Sequence, residues 1–388
     1  GSLKARQLVV KRAAEYLDKL AQASTGETDL QRELAGANER LGEILGGGGV
    51  SNLGDLRGAD ARYGTALAMR EALASNSQAT PADVEALAQL HVSLSRFKAL
   101  AGDLPRAEAH ASRAVDLLES PLARQSTDPH RLGYLARAQH QRGYVRARRG
   151  NNETAVASHR EATQNARRQV ELLPDDDQEQ ARLARIEVDY AETLRYTGDD
   201  AQALAMIADA RQRAERLLKA DPHNQRLRMT LFQAFYNEGE VYEDQEHWSA
   251  CLEAFRRAVA LADELRTAQP DDVSSQLTAI HAYYALGMGF IHSGAIVRGI
   301  AVLDEAVAGA QHLLRTMPNN AYVLSQLSGI EVERGEALLG IHRTADGCRD
   351  IRSGMEVWAR LDRTGSMPGD SARNRQHYAE LLTRCPQS

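Results

Sequence analysis

Four consecutive glycines, Gly46 to Gly49, form the stretch most suggestive of chemistry, because a glycine-rich loop can wrap a phosphate in its backbone amides. Such a loop also needs the lysine and hydroxyl of the P-loop pattern, or a strand ahead of a dinucleotide fingerprint. Here the run continues as Val50-Ser51-Asn52 with no lysine, and no strand pattern precedes it. It reads as a loop inserted between two helices, spanning 44–54. The 12 histidines include no pair at the spacing of a zinc-protease helix, and no serine stands in a Gly-x-Ser-x-Gly elbow. Three cysteines make neither a disulfide framework nor a metal-ligand spacing. Cys251 reads as a buried thiol. Cys348 and Cys385 lie near the C-terminus, where a last helix can fold back, and a bond between them is one outcome. The expectation is a segment with no catalytic residue, no metal and no cofactor.

Binding then carries the function, and the elements that must position the binding residues are legible as a repeat. Ala59, Ala107, Ala155, Ala203, Cys251, Gly299 and Gly347 recur every 48 residues. Four positions on from each come Tyr63, Ala111, His159, Ile207, Phe255, Leu303 and Ile351; seven positions on come Ala66, Ala114, Ala162, Ala210, Ala258, Ala306 and Gly354. Offsets of 0, 4 and 7 share one helical face, so this is a repeated packing ridge with small residues at two of its three sites. Five residues ahead of the first column stand Gly54, Gly102, Gly150, Gly198 and Gly294, with Glu246 and His342 as exceptions. Seven residues further back are Gly143, Gly239, Gly287 and Gly335. The pattern resembles the tetratricopeptide repeat (TPR), a helical hairpin with a turn glycine and a small-to-large rule on its second helix.

The predicted fold is therefore all-α, a right-handed superhelical TPR solenoid of seven 48-residue hairpins with capping helices at both ends. Gly1-Ser2 reads as an expression scar and 3–27 as the N-terminal capping helix. The repeats span 28–75, 76–123, 124–171, 172–219, 220–267, 268–315 and 316–363, with no hinge between domains. Residues 364–388 are a linker and a C-terminal capping helix. Proline and aspartate at the junctions, from Pro81 to Pro270-Asp271, suit first helical turns. A net charge of -6 and a pI near 6.1 give no general case for nucleic acid or an anionic membrane surface. The sequence carries neither a signal peptide nor an apolar run long enough to span a bilayer.

In a TPR array the first helices line the concave wall. Projecting the ridge phase onto them puts Arg96 in the groove from repeat two, and His140, Tyr144 and Arg148 from repeat three. Repeat four offers Arg185, Glu192, Arg195 and Tyr196, and repeat five Gln233, Tyr236, Glu240 and Glu243. Repeat six offers His281, Tyr284, Met288 and His292. Aromatic and arginine side chains bind well because each buries much area around a polar handle. The same tyrosines can instead pack against the next repeat. Charge is uneven too, with Arg137, Arg142, Arg146, Arg148 and Arg149 in repeat three and Glu238, Glu240, Glu243, Asp244 and Glu246 in repeat five. That polarity can orient an extended peptide, or it can be a solvated face.

A closer resemblance lies in the ends. LVVKRAAEYLDKLA from Leu8, LQRELAGANERLGEI from Leu30 and NLGDLRGADARYGTALAMREAL from Asn52 resemble the TPR array that follows the catalytic domain in a family of large bacterial serine/threonine protein kinases. The final segment, Gly354 to Trp358 and then a helix ending Leu-Thr-Arg-Cys385, is similar to how those arrays finish. The Gly-Gly-Gly-Gly-Val-Ser insertion departs from the bulkier loop of that family. The resemblance implies a non-catalytic sensor or scaffold region of a membrane-anchored kinase, on the periplasmic or extracytoplasmic side, that recruits protein or peptide partners. The alternative is a stand-alone TPR signalling receptor for a peptide or small ligand, acting on a transcription factor.

Overall fold

A computed structural model describes residues 3–23, 27–46, 55–270, 272–363 and 371–386. Those residues contain sixteen α-helices, one short 3-10 turn at Ala123–Gln125 and no strand. The glycine-rich insertion from Gly47 onward and the 364–370 linker lie outside the described residues. The architecture is all-α and of the TPR type.

The chain divides into two compact units, Gly1–Asp199 and Asp200–Ser388. The first holds α1 (Leu3–Ala23), α2 (Thr28–Gly46), α3 (Leu56–Ser75), α4 (Pro81–Leu100), α5 (Leu104–Leu118), α6 (Arg131–Arg148), α7 (Asn152–Leu172) and α8 (Asp177–Arg195). Within it α2/α3, α4/α5 and α6/α7 are the hairpins, with α1 against α2 and α8 against α7. The second holds α9 (Asp200–Ala220), α10 (Gln225–Asp244), α11 (Trp248–Ala268), α12 (Val273–His292), α13 (Ile296–Thr316), α14 (Ala321–Gly340), α15 (Thr344–Arg363) and α16 (Ser371–Thr383). There α9 lies against α10, the hairpins are α10/α11, α12/α13 and α14/α15, and α16 rests on α15. The boundary between the units falls inside the fourth 48-residue repeat, between α8 and α9.

Helix starts follow local chemistry. Thr80 and Asp83 form a reciprocal capping box around Pro81 at the start of α4. Asp176, Asn224, Asp272 and Asn320 cap α8, α10, α12 and α14 by accepting from backbone amides in the first turn. Each such cap is worth about 1 kcal/mol.

The three sequence columns are buried in every repeat. Ala59, Ala107, Ala155, Ala203 and Cys251 have 0% exposure, as do Ala66, Ala114, Ala162, Ala210, Ala258 and Ala306. The middle column inserts its larger side chains into the partner helix where that helix has glycine. A Cβ built at Gly143 would meet the His159 ring at 2.3 Å, at Gly239 the Phe255 ring at 2.4 Å, and at Gly287 Leu303 at 2.6 Å. Repeat two replaces the glycine with Ser95, and there the column residue shrinks to Ala111. Volume is conserved across the contact rather than residue type.

The turns share one conformation. Gly102, Gly150, Gly198 and Gly294 have φ between 78° and 86°, and the two exceptions, Glu246 and His342, adopt φ of 57° and 62°. Left-handed backbone costs a side-chain-bearing residue about 1–2 kcal/mol, so the hairpin imposes the turn on both. At the C-terminal end a disulfide joins Cys348 of α15 to Cys385, and the Trp358 and Tyr378 rings pack at a tilt of 42° with centroids 4.7 Å apart.

Gly239→Ala should destabilise the second unit by about 1–3 kcal/mol through overpacking against Phe255. Phe255→Ala alone should cost about 3–5 kcal/mol, and the double variant should cost less than the sum of the two. Chemical unfolding of the four proteins measures this, and strict additivity would mean the two residues do not share a site. Opening the disulfide by Cys385→Ser releases a closed loop of sequence separation 37. The loop-closure entropy corresponds to about 3–4 kcal/mol. Thermal melts of the variant and of reduced wild type should therefore fall together below the oxidised protein.

Candidate functional site

In the first unit the open faces of α6 and α8 meet over a buried acid. On α6 the residues His140, Tyr144 and Arg148, one turn apart, form a stripe that goes from half-buried to exposed beside the buried Ala136, Gln139 and Gly143. His140 donates from Nε2 to Oδ2 of Asp189 (2.8 Å), and Arg185 donates from Nε to the same oxygen (3.0 Å). Asp189 is only 7% exposed. Burial would raise its carboxyl, but Arg185 and the His140 hydrogen bond outweigh this and hold it well below the ordinary carboxylate range. Asp189 in turn raises the Arg185 guanidinium. Because Asp189 divides its charge between two partners, the arrangement works as a cross-link between α6 and α8.

Beside it Thr193 donates to the Asp189 carbonyl (3.0 Å), which leaves its oxygen to accept from Nδ1–H of His159 (2.9 Å). His159 is 1% exposed and its Nε2 has no hydrogen-bond partner. Burial first, and the nearby His140 ring second, push its pKa down to about 3. His159 is therefore a neutral core residue filling the large-residue column.

Above this floor opens a cleft of about 270 Å³ lined by Tyr144, Arg148, Asp189, Glu192, Thr193 and Tyr196, among others. Tyr144 and Tyr196 are 38% and 53% exposed, unusual for large aromatic rings in this chain. The Arg148 guanidinium lies 5.9 Å from the Tyr144 ring centre, and Arg195 lies 4.7 Å from that of Tyr196. Arg148 also donates to the Ala99 carbonyl (3.3 Å). Burial raises the Glu192 carboxyl and Asp189 adds to the effect. The cleft offers two aromatic faces, a cation and a carboxylate at one mouth. Arg96 is placed elsewhere, in a separate cavity of about 220 Å³ with Glu39, Glu43, Tyr134 and Arg137.

In the second unit the projected residues are more deeply committed to packing. The Tyr236 ring sits 5.8 Å from Phe232 and 5.9 Å from Phe255. Tyr284 and Met288 are partly buried against the core under α12 and α13, and burial holds the Tyr284 phenol above its ordinary range. Gln233 and Glu240 are half-buried, and the Gln233 Oε1 has no partner. His292 bonds through Nδ1 to Glu243 (2.8 Å), and His281 lies 3.4 Å from the Tyr322 hydroxyl.

The charge polarity read from repeats three and five is largely consumed locally. Arg146 and Arg149 both bind Glu108 of α5, Arg142 binds Glu161 of α7, and Glu238 binds Arg211 of α9. These pairs staple first helices to second helices. What the sequence did not show is convergence across repeats: Asp189 as the hub beneath the cleft, and a grouping of His130, Asp176 and Glu179 at the other end of α6 and α8.

No family model and no curated protein matches the sequence. Solved structures do resemble it. BtubC (BKLC) from P. vanneervenii is 17% identical over 68% of this chain and 92% of that one, with a TM-score of 0.52. The apo form of RapI is 11% identical over 80% and 93%, with a TM-score of 0.51. The STAND protein PH0952 from Pyrococcus horikoshii, which carries a tetratricopeptide repeat sensor, is 11% identical over 94% of this chain and 48% of that one, with a TM-score of 0.51. At these identities the likeness establishes the fold, a TPR-type helical scaffold. The kinase and membrane assignments drawn from the ends of the sequence are corrected here: the findings support a TPR-type scaffold fold and tie the chain neither to a kinase nor to a membrane protein. Nor is any helix among the described residues long and apolar enough to cross a membrane.

The buried neutral histidine sets an acid sensitivity. The folded pKa of His159, about 3, lies below its ordinary 6.5. The unfolded chain therefore binds the extra proton first, and stability falls as pH drops from about 6.5 towards 3, by on the order of 1 kcal/mol per pH unit within that window. His159→Phe, copying the Phe255–Gly239 contact, should fold and lose less stability than wild type between pH 7 and pH 4. Equal losses in thermal melts would assign the acid response to other groups.

Proposed function

We propose that the chain is a stand-alone TPR signalling receptor that binds a peptide or an extended protein segment in the α6–α8 cleft. One observation carries this reading: Tyr144 and Tyr196 stand exposed on facing helices across a preformed cleft, while Tyr236 and Tyr284, their counterparts in the second unit, are partly buried against its core. Exposed aromatic rings beside arginine are the commonest anchors of protein recognition, since they bury large area with few rotatable bonds. Arg148 and Glu192 supply one group of each sign at the mouth, suited to the alternating donors and acceptors of a peptide backbone. The tetratricopeptide repeats of the Pyrococcus horikoshii protein are described as a sensor, which favours a receptor over a passive spacer.

Panning a random peptide library on the purified protein tests the reading. Tyr144→Ala combined with Tyr196→Ala should weaken selected binders roughly 30-fold or more, the loss of at least one hot spot. The circular dichroism melt should stay within a degree or so of wild type, because neither ring is buried. Binders indifferent to the double variant would place recognition outside the cleft.

A further inference from the structure

His130, Asp176 and Glu179 come together from two separate elements of the first unit. His130 immediately precedes α6, while Asp176 caps α8 and Glu179 lies in its first turn. One donor atom from each falls within 4.8 Å of the other two. Nδ1 of His130 is 3.4 Å from Oε1 of Glu179 and 3.9 Å from Oδ2 of Asp176. Ligand atoms about 2.0–2.2 Å from a tetrahedral zinc ion lie about 3.3–3.6 Å from one another, so the His130–Glu179 separation matches an edge of such a site and the His130–Asp176 separation is slightly longer than one. We propose that His130, Asp176 and Glu179 bind a zinc-type divalent cation, through Nδ1, Oδ2 and Oε1 respectively.

Local structure fixes the donors. Asp128 accepts from the His130 amide (2.8 Å) and from the Tyr134 hydroxyl (3.0 Å), which pins the turn that presents the imidazole. Asp176 caps α8 through Oδ1 alone, at 2.9 Å from the Gln178 amide and 3.1 Å from that of Glu179, so Oδ2 remains to face His130. Asp175 and Asp177 flank the group and line a cavity of about 650 Å³ together with His130 and Asp176, which leaves room for a fourth ligand such as water. Two features oppose the ion. Arg182 donates to Oε1 of Glu179, the oxygen assigned to the ion, so the ion must displace that contact, and the amino end of α8 carries positive dipole. Four carboxylates against the guanidiniums of Arg182 and Arg137 still leave the surroundings negative, and Arg182, one turn further along α8, is partly exposed. An imidazole nitrogen with two carboxylates selects a borderline ion such as zinc over calcium or magnesium, which take six or more oxygen ligands. The site ties the start of α6 to the start of α8, the same helices whose far ends frame the cleft, but it stands independently of what that cleft binds.

Isothermal titration with zinc, on metal-stripped full chain, is the test. Wild type should bind one ion per chain, His130→Ala should abolish that event, and Glu179→Gln should weaken it at least tenfold. His130 is half-buried and its side chain makes no cap hydrogen bond to α6, so its removal should leave the far-ultraviolet circular dichroism unchanged. Cobalt substituted for zinc should show intense tetrahedral absorption in wild type and lose it in His130→Ala. Calcium and magnesium should give no binding. The assignment is overturned if wild type takes up no zinc, or if His130→Ala binds zinc with unchanged stoichiometry and affinity.

Discussion

Close approach of paired helices is the constraint on which everything else in this chain rests. Two helices can sit this near only if their contact line is built from alanine, glycine or cysteine, and seven repeats hold those residues at the same two columns. Between them one larger side chain enters a notch left by a glycine on the facing helix, as Phe255 does at Gly239. Where the notch is lost, at Ser95, the knob is lost with it. With the interior so short of volume to vary, differences between repeats are pushed onto the half-exposed faces of the first helices. That is where His140, Tyr144, Glu192 and Tyr196 stand.

Periodicity exposes this much directly, because a helix face is defined by its own sequence. Gly150 and Gly198 announce their turns by composition, while Glu246 and His342 adopt the same φ only because the flanking helices force it. The candidate cleft was half legible. Tyr144, Arg148, Glu192 and Tyr196 follow from helical phase, but Asp189, the hub that fixes His140 and Arg185, is buried, and nothing local marks it as shared by α6 and α8. Tyr236 and Tyr284 show the converse: phase projects them into the groove, yet their burial depends on neighbours that phase does not weigh, Phe232 and Phe255 for Tyr236 and the α12–α13 core for Tyr284. The grouping of His130 with Asp176 and Glu179 was invisible, since its members are distant in sequence and meet only when successive repeats stack. The likeness of the chain's ends to kinase-linked arrays failed for a different reason. Helix-compatible alanine- and leucine-rich segments recur wherever paired helices must pack, so they report architecture more than attachment.

Ionic contacts divide the labour differently from the apolar ones. Glu108 with Arg146 and Arg149, and Arg334 with Asp304 and Asp350, join helices at the margins of the core. Partly exposed pairs of this kind add little energy each. Their value lies in fixing the rotation of each first helix about its own axis, and hence which residues face outward.

α12 contains no aspartate, glutamate, lysine or arginine along its whole length, whereas α6 carries five arginines. Mobile ions screen charges beyond about 10 Å at 0.1 M salt and leave apolar contact almost untouched. A partner seated against the α12 face would therefore hold as strongly in brine as in dilute buffer, while one drawn to the arginine-bearing face of α6 would associate more slowly as salt rises. Contacts made through these two helices would thus differ in how far they respond to the ionic medium around them.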